Sequence, residues 1–188
     1  MNGVAYFKRM AGYNHWANGH LYAACAILPA DALYEPRTAF FPSIMRTLNH
    51  LLVADRLWLS RLLGAPEVMP LDTILFDAFG DLRVAREAQD QAIIAYLEGL
   101  NEDVLMSDLT YQSVTAGAYT MPRDLILGHM FNHQTHHRGQ LSSMLLEAGG
   151  KPLEIDLVMA AICCHDRSFG PIHPVSDRGR AAEHLAGA

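Results

Sequence analysis

The sequence NHQTHHRGQ, residues 132–140, places His133 and His137 four positions apart within a segment of helical periodicity. Pro122, at an early helical position, opens this segment, and Gly149 and Gly150 end it, as is usual at the two ends of a helix. Residues four apart lie on one face of a helix, so both imidazoles can reach one metal ion without distortion of the backbone. The stretch therefore predicts a long helix that carries two metal ligands, with a third ligand supplied from elsewhere in the chain.

The apolar stripe of this predicted helix separates its four histidines. At about 100° per residue, His133 and His137 lie within or beside the stripe, whereas His129 and His136 fall towards its flank. Two core histidines satisfied by hydrogen bonds are the alternative to a metal site. Because two imidazoles would have to lose their water on one stripe, the pattern favours a shared metal ion. The stripe consists of Ile126, Met130, Leu141, Met144, Leu145 and Ala148.

Three other segments with helical periodicity precede this one, and breaks rich in Pro, Gly and Asp separate them. The first spans residues 4–28 and stops before Pro29. The second begins after Ser43, a residue type that favours the N-cap position, and continues to Gly64. The third runs from about residue 72 to residue 99. Together with the helix that follows Pro122, these segments predict an all-helical bundle of four helices.

The remaining segments are expected to lie outside the bundle core. LTYQSVTAGAYT, residues 109–120, is rich in Thr, Tyr and Gly, which predicts a short hairpin or an irregular loop before the fourth helix. Residues 153–164 predict a short fifth helix. We expect one domain over residues 1–167, followed by a peripheral or flexible C-terminal tail over residues 168–188.

Composition limits the class of protein. The chain has 188 residues, of which 51% are hydrophobic and 18% charged, enough to bury one sizeable core. A net charge of -6 without a basic stripe argues against binding to nucleic acid. No apolar run approaches the roughly 18 residues of a membrane span, so no membrane association and a cytoplasmic location are expected. Cys25, Cys163 and Cys164 have neither the spacing of a zinc site nor that of a disulfide framework.

The residue pattern alone does not identify the third metal ligand. His50 lies on the second predicted helix, about 140° from the centre of its main apolar stripe. Asp55 lies near the middle of that stripe, where an unpaired carboxylate would be costly. Asp55 is thus either a ligand or the partner in a core ion pair, and His50 qualifies as a ligand if its helix is buried on two sides.

Three motifs, in their order and spacing, resemble those of the DinB-like family of metal-dependent enzymes. They are YNHWAN at residues 13–18, LNHLLVADRLWL at residues 48–59 and HMFNHQTHHRGQL at residues 129–141. The resemblance covers roughly residues 4–157. It implies a four-helix bundle of up-down-down-up topology and a homodimer.

The resemblance also implies a metal site and its ligands. One divalent ion per chain, zinc or nickel first and iron next, would be held by His50, His133 and His137 at one end of the bundle. The resemblance thus favours His50 in the choice that the residues left open, with Asp55 a candidate for orienting a histidine. Arg138 is expected to anchor its helix or a dimer partner and not to touch the metal.

The function implied by such a centre is catalytic. Three imidazoles with an open coordination position are typical of catalytic metal sites, which activate a bound water or thiol. The resemblance favours a transferase that joins a low-molecular-weight thiol to a small electrophilic substrate lying between the bundle and residues 111–119. The alternatives are a metal-dependent hydrolase and a non-enzymatic stress protein that binds a metal or a small ligand. The sequence assigns no catalytic acid, base or nucleophile.

Overall fold

The computed structural model describes residues 2–113 and 117–164, which form a mostly helical fold with a small sheet. The predicted tail, residues 168–188, lies outside the described residues. No helix in the described ranges combines the length and apolar character needed to cross a membrane. In chain order the elements are α1 (Gly3–Ala26), a 3₁₀ helix (Ala30–Leu33), α2 (Ile44–Leu62), α3 (Phe79–Glu98), α4 (Glu102–Leu105), β1 (Asp108–Ser113), β2 (Gly117–Pro122), α5 (Arg123–Glu147) and α6 (Leu157–Cys164).

Local sequence signals account for several helix ends. The side chain of Asn2 accepts a hydrogen bond from the backbone N–H of Ala5 at the start of α1. Ser43 caps α2 as predicted, because its hydroxyl accepts from the backbone N–H of Arg46 at 3.2 Å. Gly149 follows α5 with a φ of 81°, a conformation that glycine adopts without steric cost.

The third long helix begins at Phe79, so the predicted start near residue 72 is wrong. The preceding residues form a loop that Asn49 of α2 holds in place. Asn49 Oδ1 accepts from the backbone N–H groups of Leu75 at 2.8 Å and Phe76 at 3.0 Å, and its amide donates to the carbonyl of Phe76. These tertiary hydrogen bonds satisfy backbone groups that a helix would otherwise use, and the local residue pattern carries no sign of them.

The segment before α5 is a hairpin, one of the two structures predicted for it. Strands β1 and β2 pair antiparallel, with Asp108 opposite Pro122 and Ser113 opposite Gly117. Tyr111 is half-buried towards the bundle, while the β2 residues are largely exposed. The fold is therefore helical with a two-stranded sheet attached to one side.

Two apolar clusters form the core between the long helices. α1 and α2 each pack against both α3 and α5. One cluster joins the first turns of α1 to the last turns of α2 and includes Leu97 and Phe131. The other joins the last turns of α1 to the first turns of α2 and includes Leu21, Leu48 and Leu145.

A set of buried polar side chains, here called the polar layer, lies along the helices between these two clusters. Arg86 of α3 forms ion pairs with Asp55 of α2 at 2.8 Å and with Asp90 at 2.7 Å. Burial opposes the ionisation of Asp90, but the charge of Arg86, the imidazole of His15 at 3.8 Å and hydrogen bonds from Asn18 outweigh it, so the pKa of Asp90 lies below its usual value. Every member of the layer is at most 3% exposed: Asn14, Asn18, Asp55, Arg86, Asp90, Gln134 and Arg138.

Candidate metal centre

Three histidines from two helices converge on one point. His133 Nε2 of α5 lies 3.1 Å from His50 Nε2 of α2 and 3.1 Å from His137 Nε2, one turn further along α5. One ligand atom from each residue lies within 4.8 Å of the others, so the group could hold a metal ion. These are the three residues that the resemblance named.

The burial of the three rings differs and leaves one of them accessible. His50 and His137 are buried, at 5% and 7% exposed, and His133 is half-buried. His50 faces the interior although it lies away from the main apolar stripe, because α2 is buried around most of its circumference. The histidine pattern on α5 was sufficient to predict its inward pair, whereas the position of His50 depends on how α2 is surrounded.

Hydrogen bonds on the outer side of two rings determine which nitrogen faces the centre. His50 Nδ1 lies 2.9 Å from the carbonyl oxygen of Leu71, an acceptor, so Nδ1 carries the proton. His137 Nδ1 lies 2.7 Å from Gln140 Oε1, and the Gln140 amide nitrogen lies 3.2 Å from His136 Nε2, which agrees with this orientation of the amide. A neutral imidazole has one N–H, so Nε2 of His50 and of His137 each presents a lone pair to the centre.

The position of His133 bears on whether the three rings form a hydrogen-bonded cluster or a metal site. A proton on His133 Nε2 could be donated to only one of the two Nε2 atoms that lie 3.1 Å away. A metal ion satisfies all three nitrogens at once. Metal–nitrogen distances of about 2.0–2.1 Å in tetrahedral geometry place the nitrogens about 3.3 Å apart, close to the separations seen here. The donor set therefore fits a divalent cation.

The electrostatics of the centre keep the rings neutral. Burial lowers the pKa of His133 most, and the neighbouring His137 and His50 add to this effect, so that the pKa falls to about 3. Burial also lowers the pKa of His137 to about 4, against the opposing effect of its hydrogen bond to Gln140. The pKa of His50 is lowered for the same reason, partly offset by the Leu71 carbonyl. Neutral imidazoles are the form that binds metal, so the centre needs little deprotonation near neutral pH.

An aromatic ring covers one side of the centre. The ring of Phe41, itself 8% exposed, stacks on His50 with centroids 4.0 Å apart and an interplanar angle of 24°. It also lies 5.9 Å from the ring of His137. Phe41 belongs to the connection before α2, and sequence reasoning missed both it and the Leu71 carbonyl. No local pattern identifies them, since each is brought to the site by the path of a loop.

Asp55 is the partner in a core ion pair, one of the two roles that the residues left open. Its Oδ2 lies 2.8 Å from Arg86 and accepts a hydrogen bond of 2.6 Å from Gln134. Gln134 follows His133 on α5, so Asp55 contacts the histidine helix one residue away from the centre. In the described residues the three-histidine group contains no carboxylate.

The remaining residues of the motif surround the centre. Arg138 donates hydrogen bonds to the side chains of Asn14 and Asn18, the latter at 3.3 Å, and so joins α5 to α1, as the prediction that it anchors its helix required. His129 and His136 are exposed, and their rings lie 5.7 Å from His133 and 4.9 Å from His137. Both flank the centre, as the helical plot predicted.

Comparisons with known proteins agree on one family. A model of the DinB family matches residues 1–163. Protein DinB of Bacillus subtilis (strain 168) is 25% identical over 146 residues, with 73% of this chain and 83% of that protein covered. The crystal structure of a DinB-like protein from Bacillus cereus ATCC 10987 has a TM-score of 0.58 and 18% identity, with 72% of this chain and 87% of that chain covered. The latter likeness concerns the fold.

Proposed function

Because the chain belongs to the DinB family, we propose that it is a divalent-metal-dependent transferase that joins a low-molecular-weight thiol to a small electrophilic substrate. His50, His133 and His137 are the proposed ligands, and zinc or nickel the first candidates for the ion, followed by iron. The observation that carries the proposal is the convergence of the Nε2 lone pairs of His50 and His137 on a point that also faces His133.

The bound metal would supply Lewis acidity, which makes a thiol or water at the open position easier to deprotonate. The Leu71 carbonyl and Gln140 hold two of the rings in the tautomer that a ligand needs. Phe41 covers the ring of His50, and the half-buried His133 leaves part of the centre accessible to a small molecule.

We prefer thiol transfer to hydrolysis because the buried carboxylate that contacts the histidine helix is already paired. Hydrolysis commonly uses a carboxylate as general base beside the metal. Asp55, the buried carboxylate that contacts the histidine helix, already accepts from Arg86 and Gln134. A thiol that loses its proton on coordination needs no such base, so the surroundings favour it.

The first experiment is elemental analysis of untagged protein purified without added metal. We expect about one divalent ion per chain in the native protein, loss of that ion in His137→Ala, and its retention in the matched control His136→Ala. Absence of metal from the native protein, even after incubation with zinc, nickel and iron, would remove the basis of the proposal.

A second experiment tests the role of the thiol. The cobalt-substituted protein should develop a sulfur-to-cobalt charge-transfer absorption when a thiol such as glutathione, cysteine or coenzyme A is added. If none of these changes the spectrum while metal remains bound, the transferase assignment fails and a hydrolase or a metal-binding protein is favoured.

The up-down-down-up topology and the homodimer are part of the same proposal. Cross-helix pairs support the topology: Lys8 with Glu98 and Asn18 with Asp90 run in opposite directions along α1 and α3, as expected for antiparallel helices. The dimer rests on the resemblance alone, and light scattering should give twice the chain mass of 20.8 kDa.

A further inference from the structure

A buried arginine lies on the hairpin side of the metal centre. Arg61, in the last turn of α2, is 8% exposed. Its guanidinium carbon lies 4.5 Å from the ring centroid of Trp58 and 4.8 Å from that of Tyr111 on β1. Two aromatic faces therefore hold this cation in one position.

Among the described residues, Arg61 differs from the buried Arg86 and Arg138 because its guanidinium has neither an ion pair nor a hydrogen bond to a side chain. Arg86 forms two ion pairs and Arg138 hydrogen bonds to two asparagines. Within residues 2–113 and 117–164, no carboxylate forms an ion pair with Arg61. Burial lowers its pKa, yet a guanidinium stays charged at any physiological pH. The dipole of α2 attracts the charge but supplies no planar acceptor for its N–H groups.

A row of aromatic rings connects Arg61 to the histidines. The ring of Trp58 lies 5.2 Å from that of His129, and His129 lies 5.7 Å from His133. Trp58 and His133 are half-buried and His129 is exposed, so a ligand can contact all three. Successive rings are tilted, by 67° between Trp58 and His129 and by 35° between His129 and His133, so the row offers aromatic faces and edges, with a cation at one end and the candidate metal at the other.

We propose that Arg61 binds the carboxylate of the substrate, and that the substrate is a small molecule whose apolar body packs against Trp58 and His129. The inference rests on the proposed function, because the reacting end of the molecule would face His133. A guanidinium pairs with a carboxylate through two parallel N–H···O bonds, and its clamped position reduces the entropy lost on binding. A neutral molecule of the same shape would leave the Arg61 guanidinium unpaired, so it should bind more weakly.

The test uses a matched pair of probes, sodium benzoate and benzamide, added to metal-free protein. The Arg61 Nε–Hε resonance, identified by its absence from Arg61→Gln, is followed by heteronuclear NMR. We expect a saturable shift with benzoate and none with benzamide, while the resonance of Arg56, on the same helix, stays in place. Arg61→Lys keeps the charge without the planar fork and, in a titration followed on the benzoate ring protons for both proteins, should weaken binding at least about fivefold. No saturable shift, or equal shifts with both probes, would overturn the inference.

A second measurement separates this inference from the proposed function. In cobalt-substituted protein, the ring protons of bound benzoate should be shifted and relaxed measurably more than in zinc-substituted protein, which would place the ligand on the side of the histidines. Benzoate binding with the same ring-proton spectrum in both proteins refutes the role of Arg61 in substrate binding. Failure of cobalt to bind counts against the metal centre only, because the titration of metal-free protein stands independently.

Discussion

Replacement of Arg86 by methionine should destabilise the protein more than any single change at the surface of α3. Arg86 is 2% exposed, and its two ion pairs connect Asp55 of α2 to Asp90 of α3. Methionine preserves much of the side-chain volume, so the change removes charge with little change in packing. It leaves two buried carboxylates without their shared counter-ion.

The expected loss in the free energy of unfolding follows from the two ion pairs of Arg86. Removing one partner of a buried ion pair costs roughly 3–5 kcal/mol, and we expect the upper part of this range because two carboxylates lose the same cation. The hydrogen bonds that Gln134 gives to Asp55, and Asn18 to Asp90, should limit the loss. With a urea dependence of about 2 kcal/mol per molar, the midpoint should fall by about 2 M.

Urea unfolding followed by circular dichroism measures this change, and two variants control it. Arg83→Met alters an exposed arginine on the same helix and should change the free energy of unfolding by less than about 0.5 kcal/mol. The triple variant Asp55→Asn, Arg86→Met, Asp90→Asn removes all three charges and should be more stable than Arg86→Met alone. A loss below about 1 kcal/mol in Arg86→Met, or a triple variant that is less stable than it, would show that Arg86 does not stabilise the fold through these two ion pairs.

Three further predictions concern the surroundings of the polar layer and the centre. The pKa of His15 is raised, mainly by Asp90, whose carboxylate lies 3.8 Å from His15 Nδ1, so the contribution of His15 to stability is present below its unfolded pKa of about 6.5 and lost as pH rises through the folded value. Urea unfolding should therefore show a larger deficit for His15→Gln at about pH 5.5 than at about pH 8.5. Gln140→Leu should weaken zinc binding about 10–100-fold in a chelator competition, because His137 loses the acceptor that fixes its tautomer, while the exposed control Gln91→Leu should not. Asn49→Ala should speed amide hydrogen exchange at Leu75 and Phe76 and weaken zinc binding, because the loop that brings Leu71 to His50 loses its anchor; unchanged exchange would contradict this account.

The features that sequence predicted well are those encoded within one helix. The spacing of His133 and His137 predicted their common face, and Pro122 and Gly149 predicted the extent of α5. The N-cap at Ser43 was equally local. These signals need only helical geometry, so no knowledge of the surrounding fold is required.

The features that sequence could not predict depend on distant parts of the chain. The start of α3 is displaced by hydrogen bonds from Asn49, a residue of another helix. The inward position of His50 depends on burial of α2 on two sides, and the residue pattern alone left it undecided against Asp55. Phe41 and the Leu71 carbonyl reach the centre through loops. Tertiary contacts of this kind have no local period.

The polar layer also fixes the axial position of each helix relative to its neighbours. An axial slip of α5 by one turn, about 5.4 Å, would carry Gln134 and Arg138 away from Asp55 and Asn14 and set them against apolar side chains. Two purely apolar surfaces would tolerate such a slip far better, because dispersion contacts are not directional. His133 and His137 stand beside Gln134 and Arg138 in the chain, so the same constraint sets their height opposite His50. Carboxylates and amides that never touch the histidines thus determine whether the three rings meet.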